Sequence, residues 1–520
     1  MEIAKYAIYA AVALVGIIFF SLREFHMLQL NGYKTPEHSW WMKKNYKRYI
    51  FPAILFIAQF ALPFLSGTAE TILLAFLCLM NIILIFVNRP GKKYKKPLKI
   101  TARVKRMMVT FYILVAGICT ASWFIGNWKY VLIGTALYLT PILVPLANII
   151  NKPVEKAVQK WYINDAKKML KNSPDLRVIG ITGSYGKTSM KFYLSELLNS
   201  QYNTLKTPES FNTPMGVTIT VRNHLKPTHE IFVCEMGARR VGEIKELCGI
   251  ACPNDGIITS VGPQHLETFK SIENVVNTKF ELADSISPPG RIYLNGDNEL
   301  IRKKSSQYKN AVTYGLQDGN DYRAADVAVS YRGTEFTVIT PDGEKCRFTT
   351  KLLGEHNVQN ILGAIAYCHG LGMELKKLVL PVKRIEAVPH RLQLLDAGND
   401  LCYIDDAYNS NPNGCRAALN VLGLFDACKI LVTPGMVELG EKQEELNREF
   451  GTEAAKVCDY IVLVGKAQTE PIYKGILSTG YPAEKVFVAD SLEQALQNVK
   501  AYSTDKKKIV LLENDLPDNY

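Results

Sequence analysis

The ten residues Gly180–Ser189 read GITGSYGKTS and lie between an apolar strand pattern, RVIGIT, and an amphipathic helix pattern, SMKFYLSELL. A strand, a glycine-rich turn with Gly-Lys-Thr and a helix, in this order, are typical of a phosphate-binding loop. Lys187 is expected to reach the β- and γ-phosphates, and the Thr188 hydroxyl to hold Mg²⁺, beside the positive dipole end of the helix. The loop residues predicted to bind nucleotide are Gly183, Ser184, Gly186, Lys187, Thr188 and Ser189.

The loop departs from the full GxxxxGK[ST] spacing at one position. Ile181 stands where the first glycine belongs, and Gly180 lies one residue earlier. A glycine-rich turn that merely begins a helix is the alternative. The strand, the Gly-Lys-Thr and the helix together favour phosphate binding.

The first 150 residues differ from the rest in charge and hydropathy. They carry a net charge of +13, whereas the remaining residues carry −1. Five apolar runs are long enough to cross about 30 Å of hydrocarbon, namely 6–22, 49–66, 70–88, 109–126 and 130–150. The basic character therefore belongs to a predicted membrane domain, and nothing in the remainder indicates nucleic-acid binding.

The charges of the connecting loops predict an orientation. Residues 23–48 carry six Lys or Arg and residues 89–106 carry nine, whereas the connections around Gly67 and Asn127 carry none and one. The positive-inside rule then predicts a multi-pass protein of the cell membrane, with its N-terminus outside and everything after Asn151 in the cytoplasm. A cleaved signal peptide followed by buried core helices is the alternative, which five runs and alternating loop charge disfavour.

Four segments are predicted along the chain. Residues 1–150 form a membrane domain of five transmembrane helices, and the charged residues 151–175 form a connector helix. Alternating strand and helix patterns then predict two α/β domains with mostly parallel sheets, at 176–390 and 391–520. The eleven cysteines include one close pair, Cys248-x3-Cys252, so reduced thiols are expected rather than a zinc site.

Polar residues outside the loop follow predicted strands or share helix faces. Glu235 follows a buried strand, where it is a plausible Mg²⁺ ligand or a surface acid. His265 lies in a loop after the next strand, where a structural role is equally consistent. Asn357 and Asn360 share one helical face, from which they would read a base edge or cap the helix. Lys279 lies on an apolar helix, and nothing nearby distinguishes it.

Taken in order, eight motifs resemble those of the Mur ligase family, the ATP-dependent amide-forming enzymes of peptidoglycan synthesis. They are TGS-x-GKT, N-T-P-x-G-V from Asn212, EMGA with a following GEI, GPQHLE, a lysine one helix later, HN-x2-N, HR-x-Q and DDAYN-x-NP. The resemblance covers about residues 176–465. It is closest to the D-alanyl-D-alanine-adding branch of the family.

The resemblance implies a central ATP-binding domain with the phosphate-binding loop and a Rossmann-like C-terminal domain. ATP would phosphorylate a carboxylate, and an amine would attack the acyl phosphate to give an amide, ADP and phosphate. Glu235 would join Thr188 at one Mg²⁺, His265 would ligate a second, and Lys279 would match the family lysine that CO₂ carbamylates. Lys187, Lys279 and His265 would thus be the catalytic residues. The nucleotide contacts outside the loop would be Asn357, Asn360, Arg391 and Asp406.

Several positions depart from the family pattern. Tyr185 stands where the family loop usually has Asn, and Pro434-Gly435-Met436 replaces G-D-M before the E-L-G of Glu438–Gly440. An acidic end, Glu513–Asp518, replaces K-G-S near the amine substrate, and it would favour an amine or a cationic substrate over a carboxylate-bearing dipeptide. Apolar runs stand where the family has an N-terminal domain that binds the UDP-sugar.

These observations predict a membrane-anchored ligase with ATP, Mg²⁺ and a carbamylated lysine, acting in the synthesis of cell-envelope or peptidoglycan precursors. Its partners would be a small-molecule amine, either an amino acid or a dipeptide, a cell-envelope carboxylate acceptor and membrane lipids. The acceptor is either UDP-linked or lipid-linked, and a non-peptidoglycan envelope polymer is a further alternative. A nucleotide-binding membrane scaffold without catalysis is the alternative from another functional class.

Overall fold

The structure is a computed structural model that describes residues 2–87, 97–330, 332–398, 400–407, 411–437 and 439–515. The chain divides into two compact units, of which the first ends at Lys160 and the second begins at Trp161. Of the predicted basic connection 89–106, only residues 97–106 are among the described residues.

The first unit is helical, and its core contains aromatic and aliphatic side chains such as Tyr9, Phe25 and Phe111. Its α-helices are α1 Glu2–Leu30, α2 Thr35–Lys44, α3 Lys47–Ala58, α4 Gly67–Val87, α5 Ala102–Trp123, α6 Lys129–Tyr138 and α7 Thr140–Lys171. Short 3-10 helices cover Gln59–Phe64 and Gly126–Trp128.

The number of helices that suit a membrane is smaller than predicted. Among the described residues, α1, α4 and α5 are long and apolar enough to cross a membrane, and α6 with α7, bent by 71°, makes a fourth candidate. The predicted span 49–66 is not one helix, because α3 ends at Ala58 and a 3-10 helix follows it. Pro52 and Pro63 each remove a backbone donor in this region. The described residues therefore do not contain the five helical spans that the sequence predicts.

The sequence predicted a separate connector helix at 151–175, and the structure does not contain it. Helix α7 runs continuously from Thr140 to Lys171 and includes Pro145 and Pro153. The boundary between the two compact units falls inside this helix.

The second unit begins with a nine-stranded sheet in the order β2-β3-β1-β4-β5-β6-β7-β8-β9. The strands are β1 Arg177–Thr182, β2 Thr204–Lys206, β3 Ile231–Glu235, β4 Asp255–Ile258, β5 Ile292–Asn295, β6 Ala311–Gly315, β7 Tyr322–Ser330, β8 Gly333–Ile339 and β9 Lys345–Thr350. Strands β1 to β6 pair in parallel, and β7, β8 and β9 pair antiparallel. The helices are α8 Lys187–Leu198, α9 Pro214–His224, α10 Glu243–Ala251, α11 Leu266–Phe269, α12 Ile272–Asp284, α13 Glu299–Ser305, α14 Glu355–Gly370 and α15 Leu375–Arg384.

A six-stranded sheet follows in the order β10-β11-β15-β12-β13-β14, parallel except for β10. Its strands are β10 Gln393–Asp396, β11 Leu401–Asp406, β12 Cys428–Thr433, β13 Tyr460–Val464, β14 Val486–Ala489 and β15 Lys508–Glu513. Its α-helices are α16 Pro412–Gly423, α17 Gln443–Val457, α18 Lys466–Leu477 and α19 Leu492–Ala501. The prediction of two α/β domains with mostly parallel sheets is confirmed.

Side chains of β1 alternate between two cores, as a strand covered on both faces requires. Ile179 and Ile181 pack in the cluster that contains Ile361 of α14. Val178 packs in the cluster on the other face, with Phe280 of α12. Helices on both faces thus hold β1, β3, β4 and β5 in register, and the carboxyl ends of these strands lie at one edge of the sheet. The candidate site forms at this edge.

Candidate active site

The loop after β1 contains a left-handed glycine, Gly186, and leads directly into α8. Gly186 has φ +80°, and a Cβ added there would lie 2.8 Å from Asn360 Oδ1. Ser184 N donates to Ser260 O at 2.7 Å, and Ser184 Oγ donates to Gly262 O at 3.1 Å. The loop is thereby fixed between α14 and the segment after β4, with α8 starting at Lys187.

Lys187 lies across its own loop. Its Nζ donates to Gly183 O at 2.8 Å and to Ser184 O at 3.0 Å. Burial lowers the pKa of Lys187 to about 8, Glu235 opposes this shift and Arg391 adds to it. A desolvated cation at the start of a helix is suited to a polyphosphate, which would supply the missing counter-charge.

Glu235 ends β3 directly beneath the loop. Its Oε1 accepts from Thr188 Oγ1 at 3.2 Å and from Asn212 Nδ2 at 3.0 Å, while Lys191 Nζ donates to Oε2 at 2.9 Å. Burial by itself raises the pKa of Glu235, but Lys191, Lys187 and Asn212 outweigh burial and hold the pKa below its usual value. An ionised carboxylate beside a hydroxyl is a donor set that Mg²⁺ accepts.

Lys279 is buried on α12 and is paired directly with no carboxylate among the residues that the structure describes. Its Nζ lies 5.8 Å from the centroid of the Phe269 ring. Burial lowers the pKa of Lys279 to about 7, the charge of Lys187 adds to the shift, and Glu243 and Glu281 oppose it. An ammonium cannot bind a metal, so Lys279 fits a metal site only after its charge is reversed.

His265 follows β4 and begins the short helix α11 in a left-handed conformation, with φ +53°. Phe269, at the end of this helix, contacts Lys279. Over the described part of the chain, no three His, Cys, Asp or Glu side chains gather as a metal cluster. The structure thus brings Thr188 and Glu235 into contact, and it places His265 and Lys279 on elements that meet at Phe269.

A cleft of about 270 Å³ is lined in part by the loop. It is lined by Tyr185, Gly186, Ser189, Thr259, Ser260, Asn295, Asp297, Asn298, His356, Asn357, Gln359, Asn360, Arg391, Leu392, Asp406, Asn411, Asn413, Gly414 and Ala417. The four residues predicted to contact nucleotide outside the loop, Asn357, Asn360, Arg391 and Asp406, are therefore brought together with it. Both α/β domains contribute to the cleft.

Comparison with known families gives two adjacent matches. The Mur ligase middle domain matches residues 181–368, and the Mur ligase glutamate ligase domain matches residues 390–513. The UDP-N-acetylmuramoyl-tripeptide--D-alanyl-D-alanine ligase of Escherichia coli is 30% identical over 338 residues, which cover 64% of this chain and 73% of that enzyme. The chain belongs to the Mur ligase family. Members of this family are ATP- and Mg²⁺-dependent ligases that form carbon–nitrogen bonds.

Other relatives of this Mur ligase carry the same name. The Bacillus subtilis ligase is 34% identical over 278 residues, covering 53% of this chain and 59% of that protein. The crystal structure of MurF from Acinetobacter baumannii superimposes with a TM-score of 0.63 at 25% identity, covering 70% of this chain and 78% of the other. MurF from Thermotoga maritima, solved in complex with ADP, gives 0.62 at 25%, covering 69% and 80%.

The two predicted asparagines of the Mur ligase cleft differ in their surroundings. Asn357 Oδ1 accepts from Tyr193 OH at 2.7 Å, and its Nδ2 donates to Leu353 O at 2.8 Å. Each end of this amide makes a hydrogen bond within the protein, which joins Asn357 to α8 and to the segment before α14. Asn360 instead faces Gly186 of the loop.

Sequence reasoning missed Asp297 and did not use His356, although both line the cleft. Asp297 Oδ2 accepts from Gln359 Nε2 at 2.9 Å and from Leu316 N at 2.6 Å. Burial lowers the pKa of His356 to about 4, so its imidazole is neutral. The signal for Asp297 was its position directly after β5, at the edge where the other site residues lie.

Asp406 ends β11, and burial raises its pKa to about 6 although Arg391 opposes the shift. Leu392 N donates to Asp406 Oδ1 at 3.2 Å. Several other residues in the family-like segments lie outside the described residues, namely Tyr408, Asn409, Glu438, Leu516, Pro517 and Asp518.

Proposed function

We propose that this Mur ligase joins a carboxylate to an amine at the expense of ATP in peptidoglycan precursor synthesis, as the names of its relatives indicate. One observation carries the proposal: a single loop contributes Thr188 to the contact with Glu235 and also lines the cleft that contains Asn360, Arg391 and Asp406. The contact suits a metal with phosphates, and the cleft suits the rest of a nucleotide.

The proposed reaction has two steps, phosphorylation of the carboxylate and attack of the amine on the acyl phosphate. A carboxylate oxygen attacks the γ-phosphorus of ATP, a P–O bond forms, and ADP leaves. The amine nitrogen then attacks the carbonyl carbon, phosphate leaves, and the nitrogen loses a proton. Lys187 neutralises charge on the transferred phosphoryl group, and closure of the two α/β domains over the cleft excludes water from the acyl phosphate.

Thr188 and Glu235 would hold one Mg²⁺ in this scheme, and His265 a second. Bound Mg²⁺ neutralises phosphate charge and orients the γ-phosphoryl group. Lys191 donates to Oε2 of Glu235, whereas Oε1 lies beside the Thr188 hydroxyl, so Oε1 is the oxygen that would share a metal with Thr188.

Lys279 would be carbamylated. A neutral amine is the form that attacks CO₂, and burial lowers the pKa of Lys279 to about 7, which supplies that form at physiological pH. The nitrogen bonds to the CO₂ carbon and releases a proton, and the product is an anion. This anion would be a metal ligand next to α11 and would remove the uncompensated buried cation.

An ADP-release assay on the full chain in detergent tests the activity, with UDP-N-acetylmuramoyl-tripeptide as the acceptor and D-alanyl-D-alanine as the amine. We expect ADP only when both are present, and none from Lys187→Ala. ATP binding without ADP release over a broad panel of amines and acceptors would instead favour the non-catalytic scaffold.

The first unit would anchor the enzyme in the membrane. Apolar side chains on α4, among them Ile72, Phe76 and Phe86, are exposed, as lipid-facing side chains are. Phe64 and Trp123 are exposed and lie at the ends of helices, where aromatic residues are common at a membrane interface.

The location of the N-terminus depends on Lys47–Phe64. Its twelve α-helical and six 3-10 residues rise together by about 30 Å. If this broken segment crosses, the number of spans is odd and both basic connections face the side of the catalytic unit. We propose this arrangement, with the N-terminus outside and the catalytic unit in the cytoplasm. Labelling by an impermeant thiol reagent of a cysteine placed at Ile3 in intact cells would support it, and labelling only after lysis would contradict it.

A lipid-linked acceptor is the second candidate, since an anchored unit would present such a substrate to the enzyme. The half-buried Arg103 favours it, because its guanidinium stacks 4.0 Å from the Tyr33 ring and donates to Asn148 Oδ1 at 3.2 Å, an arrangement that suits a phosphate. Mass spectrometry of envelope precursors from cells with and without the protein separates the two candidates. A lost mass increment on a lipid-linked species would identify this acceptor, whereas accumulated UDP-linked muramyl tripeptide would identify the soluble one.

A further inference from the structure

Tyr185 is the residue of the phosphate-binding loop that departs from the family pattern, and its side chain leaves the loop to contact the segment after β4. Its hydroxyl donates to Pro263 O at 2.7 Å. Its ring lies against Gly262, where an added Cβ would be 2.8 Å from Tyr185 Cε2. Only glycine therefore fits beneath this ring.

The backbone of Tyr185 is also joined to the side chain of Ser260. Tyr185 N donates to Ser260 Oγ at 3.1 Å, and Ser260 Oγ donates to Tyr185 O at 3.0 Å. These bonds fix the near end of the segment, at Ser260. The Tyr185 hydroxyl is the contact that reaches furthest along it, to a carbonyl two residues before His265.

The chain beyond Pro263 leads to His265 and Lys279, which are proposed to hold the second metal. His265 begins α11, and Thr268 N and Phe269 N both donate to His265 O at 3.0 Å. Phe269 then covers Lys279. The Tyr185 ring also lines the cleft with Asn360. Tyr185 is thus in contact with the cleft and with the segment that leads to His265 and Lys279.

We propose that Tyr185 is a positioning residue that sets the segment Val261–His265, and through it the second metal site, against the nucleotide loop. This role rests on the proposed function, in which His265 holds the second Mg²⁺. Asparagine is too short to replace both the ring packing and the hydroxyl contact. The tyrosine therefore makes assembly of the second metal site dependent on the nucleotide loop.

The test counts metal ions and does not require turnover. The full chain in detergent, with a saturating non-hydrolysable ATP analogue, is titrated with Mn²⁺ by electron paramagnetic resonance. The variants are Tyr185→Phe, Tyr185→Asn and a control, Tyr308→Phe. The control loses a hydroxyl that also donates at 2.7 Å, to Asp284 Oδ1, away from the loop.

We expect two Mn²⁺ sites in the unchanged protein. In Tyr185→Phe the weaker site should lose about threefold to tenfold in affinity, the usual effect of one lost hydrogen bond, while the tighter site and the analogue affinity stay within about twofold. Tyr185→Asn should lose at least as much, and Tyr308→Phe should lose nothing.

Two sites with unchanged affinities in both Tyr185 variants would overturn the role of Tyr185 and leave the proposed function intact. One Mn²⁺ site in the unchanged protein would overturn both this role and the assignment of His265. Equal weakening of both sites and of the analogue would mean that Tyr185 only maintains the loop, which also overturns the proposal.

Discussion

Replacing Lys279 with methionine should stabilise the protein while it abolishes ligation. The folded chain holds this amine at a pKa of about 7 instead of 10.5 because it is buried and lies near the charge of Lys187, which outweighs the opposing effect of Glu243 and Glu281. A difference of about 3.5 units at about 1.36 kcal/mol each gives a destabilisation of about 5 kcal/mol. Methionine fills nearly the same volume and carries no charge, so most of this cost disappears.

The pH dependence follows from proton binding. Below pH 7 both the folded and unfolded chains hold the proton on Lys279, and the full cost is present. Between about 7 and 10.5 the unfolded chain binds more protons at this site than the folded chain, so stability rises with pH. The unchanged protein should therefore gain stability over this window, and Lys279→Met should lack that gain.

Thermal unfolding of the full chain in CO₂-free buffer measures the effect. At pH 6 the transition of the second unit should rise by roughly 6 °C in Lys279→Met. The control is Lys303→Met, which removes an exposed lysine paired with Glu299 and should shift the transition by about 1 °C or less. Equal or lower unfolding temperatures for Lys279→Met at pH 6, with an unchanged pH slope, would refute the reasoning.

Adding bicarbonate or short carboxylic acids distinguishes a carbamylated Lys279 from an unmodified buried amine. Bicarbonate should raise the unfolding temperature of the unchanged protein and leave that of Lys279→Met unchanged. Short carboxylic acids should partly restore ligation in Lys279→Ala by refilling the missing anion. Full activity of Lys279→Ala without them would remove the carbamate hypothesis.

Three further changes test other parts of the site. Glu235→Gln should raise the Mg²⁺ concentration needed for half-maximal ATP turnover by about tenfold or more, since it removes the carboxylate beside Thr188; an unchanged requirement would exclude Glu235 as a ligand. Gly186→Ala should weaken nucleotide binding about tenfold or more, because φ is +80° and the Cβ meets Asn360, whereas Gly319→Ala, at φ +91° in open space, should leave it unchanged; equal affinities in the two variants would contradict the geometry. Deleting residues 1–150 should leave a soluble chain that binds ATP, and a folded fragment without ATP binding would contradict the domain division.

The sequence predicted contacts that depend on strand ends. The loop after β1 and Glu235 after β3 were expected at one edge of a parallel sheet, and Thr188 and Glu235 do meet there. Asn357 shows where this reasoning stops. Its amide is bound by Tyr193, 164 residues earlier in the chain, and no local pattern reports such a partner.

The membrane part illustrates a different limit. Hydropathy counts apolar residues, so the predicted spans 49–66 and 70–88 looked alike, although only the second corresponds to a long α-helix, Gly67–Val87. Conversely, a membrane span ending at 150 and a charged connector helix beginning at 151 were predicted, whereas α7 runs through this boundary and contains Pro145 and Pro153. Helix continuity depends on packing as well as on propensity, and a hydropathy pattern reports neither.

Two segments that depart from the family pattern, Pro434–Met436 and the described part of the acidic end at Glu513–Asp515, are in contact. Asn514 Nδ2 donates to Gly435 O at 2.6 Å, and Asn514 itself is left-handed, with φ +69°. Glu513 is buried and accepts from Cys415 Sγ at 3.2 Å, so it joins β15 to α16. Because each segment fits the other, restoring the family residues in only one of them would break this contact. The described part of the acidic end is thus held against the Gly435 segment and α16, so an assay with D-alanyl-D-alanine alone would not test the expected preference for a carboxylate-free or cationic amine. Amines without a carboxylate belong in the same assay.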